Sequence, residues 1–158
     1  SPDIKGGNEN MLALLFDMNK LWEEYVFRML SRVKEEGLKV SFQNRTKFWE
    51  DKIIKPDLVV KRTIGGIEET FIIDTKWKII DPKKPGDDDL KQMYAYNMYW
   101  GSTKSMLLYP SSDPQETAFG KFHKGREEEN LCKLGFVKVM NKGELDKNLG
   151  QNVLNLLK

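Results

Sequence analysis

FIIDTKWKII, residues 71–80, reads as a strand built for a protein interior that nevertheless carries charge. Most of its positions are apolar, but Asp74 and Lys76 sit among them, two residues apart. Side chains alternate along a strand, so Asp74 and Lys76 share one face while Ile73, Thr75 and Trp77 share the other. A carboxylate and an ammonium in such a setting need something that compensates their burial.

The compensating group is sought upstream. Residues 56–60 read Pro-Asp-Leu-Val-Val, and the pair Gly65-Gly66 lies between this apolar run and the next, a hairpin signal. Pairing 57–63 with 68–76 through that turn brings Asp57 close to Asp74. Two carboxylates this close repel unless a proton or a cation lies between them. A magnesium ion suits the pair, because it takes one or two carboxylates and leaves its other positions for water and substrate oxygens. A divalent cation and partial burial would both push the Lys76 pKa down. The lysine would then orient or help deprotonate a water that attacks a phosphodiester.

The surrounding chain frames this pair. Residues 11–36 form a helical segment ended by Gly37, with Leu15, Met18, Trp22, Tyr25, Met29 and Val33 on one face. Leu12, Phe16 and Leu30 extend that face, and Glu23 falls among them, whereas Glu24 points to the polar side with Asp17 and Arg28. Glu23 thus borders the core and is placed to reach the same metal or a second one. Strand-like runs follow at 38–44, 48–62 and 68–80, then a loop at 81–89 and a helix at 90–100 that ends before Gly101. Residues 105–110 and 135–140 read as strands and 144–158 as an amphipathic helix with Leu145, Leu149, Val153 and Leu157 in register. The order predicts an α/β fold with a central mixed sheet flanked by helices. Residues 1–10 lack periodicity and read as a linker or a remnant of cloning, leaving 11–158 as one domain.

Composition narrows the chemistry. With 158 residues, 39% hydrophobic, the chain is long enough to bury a core. It contains no apolar run of membrane-spanning length and no signal-peptide pattern. The single Cys132 rules out an internal disulfide, which suits a reducing cytoplasm, and together with the lone His123 it excludes a Cys- or His-rich metal cage. A metal here is held by oxygen: magnesium, manganese or calcium. The net charge of +2, from 26 basic and 24 acidic residues, argues neither for nor against nucleic acid. No Walker loop is present, so the chain does not itself hydrolyse a nucleotide.

Pro56-Asp57, a hairpin-sized gap and Asp74-Thr75-Lys76 resemble the PD-(D/E)xK nuclease superfamily in its D-x-K form. The blocks DMNKLWEEYV (17–26), KPDLVV (55–60), IIDTKWK (72–78), QMYAYNMYW (92–100) and LLYP (107–110) resemble successive motifs of McrC, the nuclease subunit of the modification-dependent McrBC restriction systems. The resemblance spans about residues 11–110. It implies a PD-(D/E)xK core, with Asp57 and Asp74 as magnesium ligands (manganese substituting), Lys76 as the catalytic lysine and Glu23 as the helix-borne acid and further ligand. Gln92 and Tyr96 correspond to the Gln-x-x-x-Tyr pair beside the active site, and at i and i+4 they share a helix face. The implied activity is endonucleolytic cleavage of double-stranded DNA, as the cleavage subunit beside a separate AAA+ GTPase motor of the McrB type. Recognition of the modified base would belong to that partner.

Two other readings share these residues: a stand-alone repair or recombination nuclease of the same superfamily, and a catalytically silent nuclease-like fold that binds DNA or assembles. On the D-x-K alone, a solvated cross-strand ion pair is the commoner explanation. Asp57 and the flanking blocks reverse that balance. Lys121, Lys124 and Arg126 form a modest candidate for phosphate contacts. Asp87-Asp88-Asp89 lacks calcium-loop spacing and reads as a solvated turn capping the next helix. Cys132 reads as a small buried residue and His123 as a surface one.

Overall fold

The computed structural model describes residues 4–123 and 129–158. Helix α1 (Ile4–Ser31) is followed by β1 (Lys39–Phe42), β2 (Thr46–Trp49), β3 (Lys52–Ile54), β4 (Leu58–Ile64) and β5 (Ile67–Thr75). Helix α2 (Asp87–Trp100) leads to β6 (Lys104–Pro110), β7 (Gly120–Lys121) and β8 (Leu131–Val137). A small hairpin of β9 (Met140–Asn141) and β10 (Glu144–Leu145) precedes helix α3 (Leu149–Leu156).

Six strands form the main sheet in the order β1-β4-β5-β6-β8-β7. The first three run antiparallel, β5, β6 and β8 are parallel, and β7 closes the edge antiparallel to β8. This is the mixed, helix-flanked sheet that the sequence predicts. Parallel strands sit covered on both faces, which is why residues 71–73 and 106–109 read as continuous rather than alternating apolar runs. Leu58, Val60, Phe71 and Ile73 face α1 and α3 and pack with Trp22, Val26, Leu30 and Val153. Val59, Ile72 and Leu107 face α2 and pack with Met93 and Tyr96.

The boundaries differ from the sequence pattern in instructive ways. The first helix starts at Ile4 rather than 11 and ends at Ser31 rather than 36. Its early apolar residues are not core: Leu12, Leu15 and Phe16 are exposed, and full burial begins at Trp22, where the helix first lies over the sheet. Beyond Ser31 the chain is captured by β4, since the Arg62 guanidinium donates from Nε and Nη2 to Glu35 at 3.0 and 2.8 Å. That planar fork draws the segment off its helical path. The run at 48–62 breaks at Glu50, whose φ of 49° turns β2 back into β3 before β4 begins. Asp87, Asp88 and Asp89 form the first turn of α2 rather than a cap before it, and no side chain caps that helix at Gly86. Strand β8 begins at Leu131 rather than 135, and residues 144–145 belong to the small hairpin, so Leu145 is exposed while Leu149, Val153 and Leu157 are buried.

Close helix packing depends on Gly150. A Cβ there would overlap the Met29 carbonyl and lie 2.9 Å from Val33 Cγ2, because α3 crosses directly over the end of α1. Overpacking of this kind costs about 1–3 kcal/mol. In a domain of this size each kcal/mol is about 2–4 °C of melting temperature. Gly150→Ala is therefore expected to lower the Tm by several degrees in a thermal melt.

Candidate metal centre and active site

The β4–β5 ladder pairs Leu58 with Ile73, and one further step places Asp57 opposite Asp74. The site thus forms where β4 begins and β5 ends, on the α2 side of the sheet. Asp57 is fixed from β5, its Oδ2 accepting from the Thr75 backbone N–H at 2.7 Å and from Thr75 Oγ1 at 2.9 Å. Pro56 is buried before it. The carbonyl of Lys55 accepts from the Tyr96 hydroxyl at 3.0 Å, and that hydroxyl accepts in turn from Gln92 Nε2 at 2.8 Å. The Gln-x-x-x-Tyr pair therefore ties α2 to the strand entry that presents Asp57.

Lys76 follows β5 but remains on the sheet. Its N–H donates to the Leu108 carbonyl at 2.9 Å, and the next N–H, of Trp77, donates to Asn19 Oδ1 on α1 at 2.8 Å. Trp22 donates its indole N–H to the same Leu108 carbonyl at 3.3 Å and meets Trp77 edge-on, with centroids 5.8 Å apart. Held in this way, Lys76 Nζ lies 2.9 Å from Asp74 Oδ2 and 3.4 Å from Asp89 Oδ1. Lys78 shares Asp89 at 3.3 Å.

Glu23 enters from α1 across the strand ends. Its Oε1 accepts from Gln43 Nε2 at 2.6 Å, and the Gln43 N–H donates to the Asp57 carbonyl at 2.9 Å. Gln43 does this from a left-handed φ of 52°, a conformation that costs a non-glycine residue about 1 kcal/mol or more. Glu23, Asp57, Asp74, Lys76, Gln92 and Tyr96 all line one cleft of about 360 Å³.

Sequence reasoning missed Gln43, Asn19 and Asp89. Asn19 was reachable, since it stands at i−4 from Glu23 on the same helix face. Gln43 carried no signal, because only the β1–β4 register brings it to Asp57. Asp89 was hidden in a run that reads as solvated. Lys121, by contrast, lies on the edge strand β7, separated from β5 by β8 and β6, and does not line the cleft. Lys124 and Arg126 lie outside the described residues.

The charges explain the site's chemistry. Burial, and then the facing Asp57, raise the Asp74 pKa to about 7 against the pull of Lys76. Asp57 is raised too, by burial and by Glu23, although the Thr75 hydrogen bonds oppose this. Burial alone lowers Lys76, as the sequence predicts, but Asp74 and Asp89 outweigh it and its pKa stands above the ordinary value. Burial, followed by Asp74 and Asp57, also pushes the Tyr96 phenol up, so it stays a hydrogen-bond donor.

Two facing carboxylates that resist joint ionisation fit a divalent cation, and the donor set is all oxygen. Among the described residues no group of three His, Cys, Asp or Glu forms a ready cage. Asp57 and Asp74 are the pair that faces, while Glu23 is held by Gln43. A two-carboxylate site with open positions matches magnesium, which retains much of its water.

The sign of the pH dependence follows from Asp74. Its folded pKa of about 7 exceeds the unfolded value of 3.8, so between them the folded chain binds the extra proton and this residue's contribution to stability falls as pH rises. In chelator, Asp74→Asn is expected to melt higher than the parent at pH 8, by at least about 2 °C. The difference should shrink by pH 5, as thermal melts at the two values would show.

A family model, the McrBC 5-methylcytosine restriction system component, matches residues 1–110. A search of curated proteins finds no match. Among solved structures, a chain is similar in the "Refined half-complex from tetradecameric assembly of Thermococcus gammatolerans McrB AAA+ hexamers with bound McrC". The match has a TM-score of 0.60 at 22% identity and covers 88% of this chain and 33% of that one. Likeness at that identity is one of fold, and the chain spans about a third of the length of the structure it matches. The family match runs through every block that builds the cleft, from Glu23 to Tyr96, and the chain belongs to the family of McrBC 5-methylcytosine restriction system components.

Proposed function

We propose that this chain carries a metal-dependent endodeoxyribonuclease centre of the PD-(D/E)xK type. It would cut double-stranded DNA as the cleavage subunit of a modification-dependent restriction system. The observation that carries this reading is Asp57 set opposite Asp74 at the strand ends, with Lys76 Nζ 2.9 Å from Asp74 in an open cleft. The motor of the system would be a separate AAA+ GTPase. In its favour stand the family membership and the solved neighbour, which by its description contains McrB AAA+ hexamers with bound McrC.

Asp57 and Asp74 would hold magnesium, or manganese in its place, with Glu23 near Asp57 as a further ligand. When bound, the ion supplies Lewis-acid stabilisation of charge on the phosphoryl oxygens and lowers the pKa of water. Asp74 would hold the ion in its ionised form, and its neighbour Lys76 favours that form. Lys76, held by Asp74 and Asp89 together with its positive charge retained, is placed to align the attacking water and to stabilise the negative charge growing on the phosphate. Gln92 and Tyr96 act at one remove, keeping the Lys55–Asp57 segment in place. Gln43 does the same for Glu23.

These roles separate in two measurements: manganese binding by calorimetry, and DNA cleavage with the GTPase partner present. Asp57→Ala and Asp74→Ala are expected to abolish manganese binding. Lys76→Ala should keep binding within a few-fold yet lose cleavage by roughly 100-fold or more. Manganese binding that ignores Asp57 and Asp74 would sink the catalytic assignment. Gln43→Ala is expected to weaken manganese by about 10-fold, the usual effect of removing a group that orients a ligand.

A further inference from the structure

Between the two feet of the active site the chain makes an excursion. Residues 44–55, NRTKFWEDKIIK, form the hairpin β2–β3, which pairs with no strand of the main sheet. An isolated two-stranded hairpin is marginal on its own. This one is mounted on the site: Gln43 at its start holds Glu23, and Lys55 at its end lines the cleft and accepts from Tyr96. Tyr99 steadies its middle by donating its hydroxyl to the Phe48 carbonyl at 3.0 Å.

The hairpin's outer surface combines cations with aromatic rings. Trp49 is 64% exposed and Phe48 47%, while Arg45, Lys47 and Lys52 stand in solvent beside them. The acids of the turn, Glu50 and Asp51, do not neutralise this. Lys47 reaches Asp51 at 3.0 Å, but both side chains are largely solvated, and such pairs exchange readily. An exposed Trp beside Arg45, Lys47 and Lys52, on a hairpin anchored at the cleft, offers a ring and three cations together. It fits a polyanion whose phosphates take the cations and whose sugars and bases meet the ring.

We infer that the β2–β3 hairpin is a DNA-contacting wing, which grips the duplex beside the scissile phosphate. The inference rests on the nuclease reading for its choice of nucleic acid. At about 3.3 Å per residue, the four-residue strand β2 places Trp49 roughly 13 Å from the hairpin's feet, or about four base steps along a strand. Arg45, Lys47 and Lys52 pair with phosphates there, and Trp49 packs against the groove edge.

The test is anisotropy of a fluorescein-labelled DNA duplex with calcium replacing magnesium, over a series of salt concentrations, together with manganese calorimetry. The variant Arg45→Ala/Lys47→Ala/Lys52→Ala is expected to lose about 10-fold or more in affinity, with the log-log salt slope reduced by about 2–3. Trp49→Ala should lose about 5-fold with the slope unchanged, and DNA-induced quenching of tryptophan emission should disappear with it. Both variants should keep the parent's melting temperature and manganese affinity. Affinity and slope within twofold of the parent in both variants would overturn the wing and assign the exposed tip to a protein partner. So would a parent chain that binds manganese through Asp57 and Asp74 but no DNA. Hairpin-dependent DNA binding without manganese binding would keep the wing and discard the nuclease.

Discussion

Asp57 and Asp74 face each other one step beyond the last rung of the β4–β5 ladder, Asp74 buried and Asp57 partly so, in a place where two negative charges cannot coexist without help. Much of the surrounding structure acts to maintain this unfavourable pairing. Thr75 donates two hydrogen bonds to Asp57, Lys76 sits on Asp74, and the raised pKa of Asp74 lets a proton relieve the repulsion. Under the proposed function a divalent cation would take that proton's place, for the same electrostatic reason.

Each layer of the fold contributes one support. The α1 side supplies Asn19 and Trp22, which hold Trp77 after β5, and Glu23, which with Asn19 walls the cleft. The α2 side supplies Gln92 and Tyr96 beneath the Lys55 carbonyl, and Asp89 beside Lys76. Between them, the parallel neighbour β6 fixes Lys76 through Leu108. Supports from opposite faces of a sheet can converge only at strand ends, and the cleft lies there. The strain at Gln43 belongs to the same scheme, since its left-handed backbone satisfies Asp57 and Glu23 together.

Legibility in the sequence followed the range of each interaction. The spacing of Asp74 and Lys76, the Gly65-Gly66 reversal and the i, i+4 relation of Gln92 and Tyr96 are local, so period two, a turn and period 3.6 make them readable. The apolar first half of α1 misled, because helical periodicity shows which residues share a face but not whether anything covers it. Leu12, Leu15 and Phe16 have the pattern of core residues and none of the burial. The run at 48–62 misled for a related reason: Trp49 and Ile53 have strand propensity, but Glu50 turns the backbone there.

Alone, the sequence determined the α/β class, the hairpin that brings two aspartates together and the lysine that accompanies them. These rest on neighbours within a strand, a turn or a helix. Only the tertiary structure decided that Gln43 holds Glu23, that Asp89 shares Lys76 and that an aromatic, basic hairpin stands beside the cleft. Such contacts join residues whose separation along the chain carries no periodicity. They exist because sheet register and layer packing bring distant segments to one place, and no local pattern encodes that meeting.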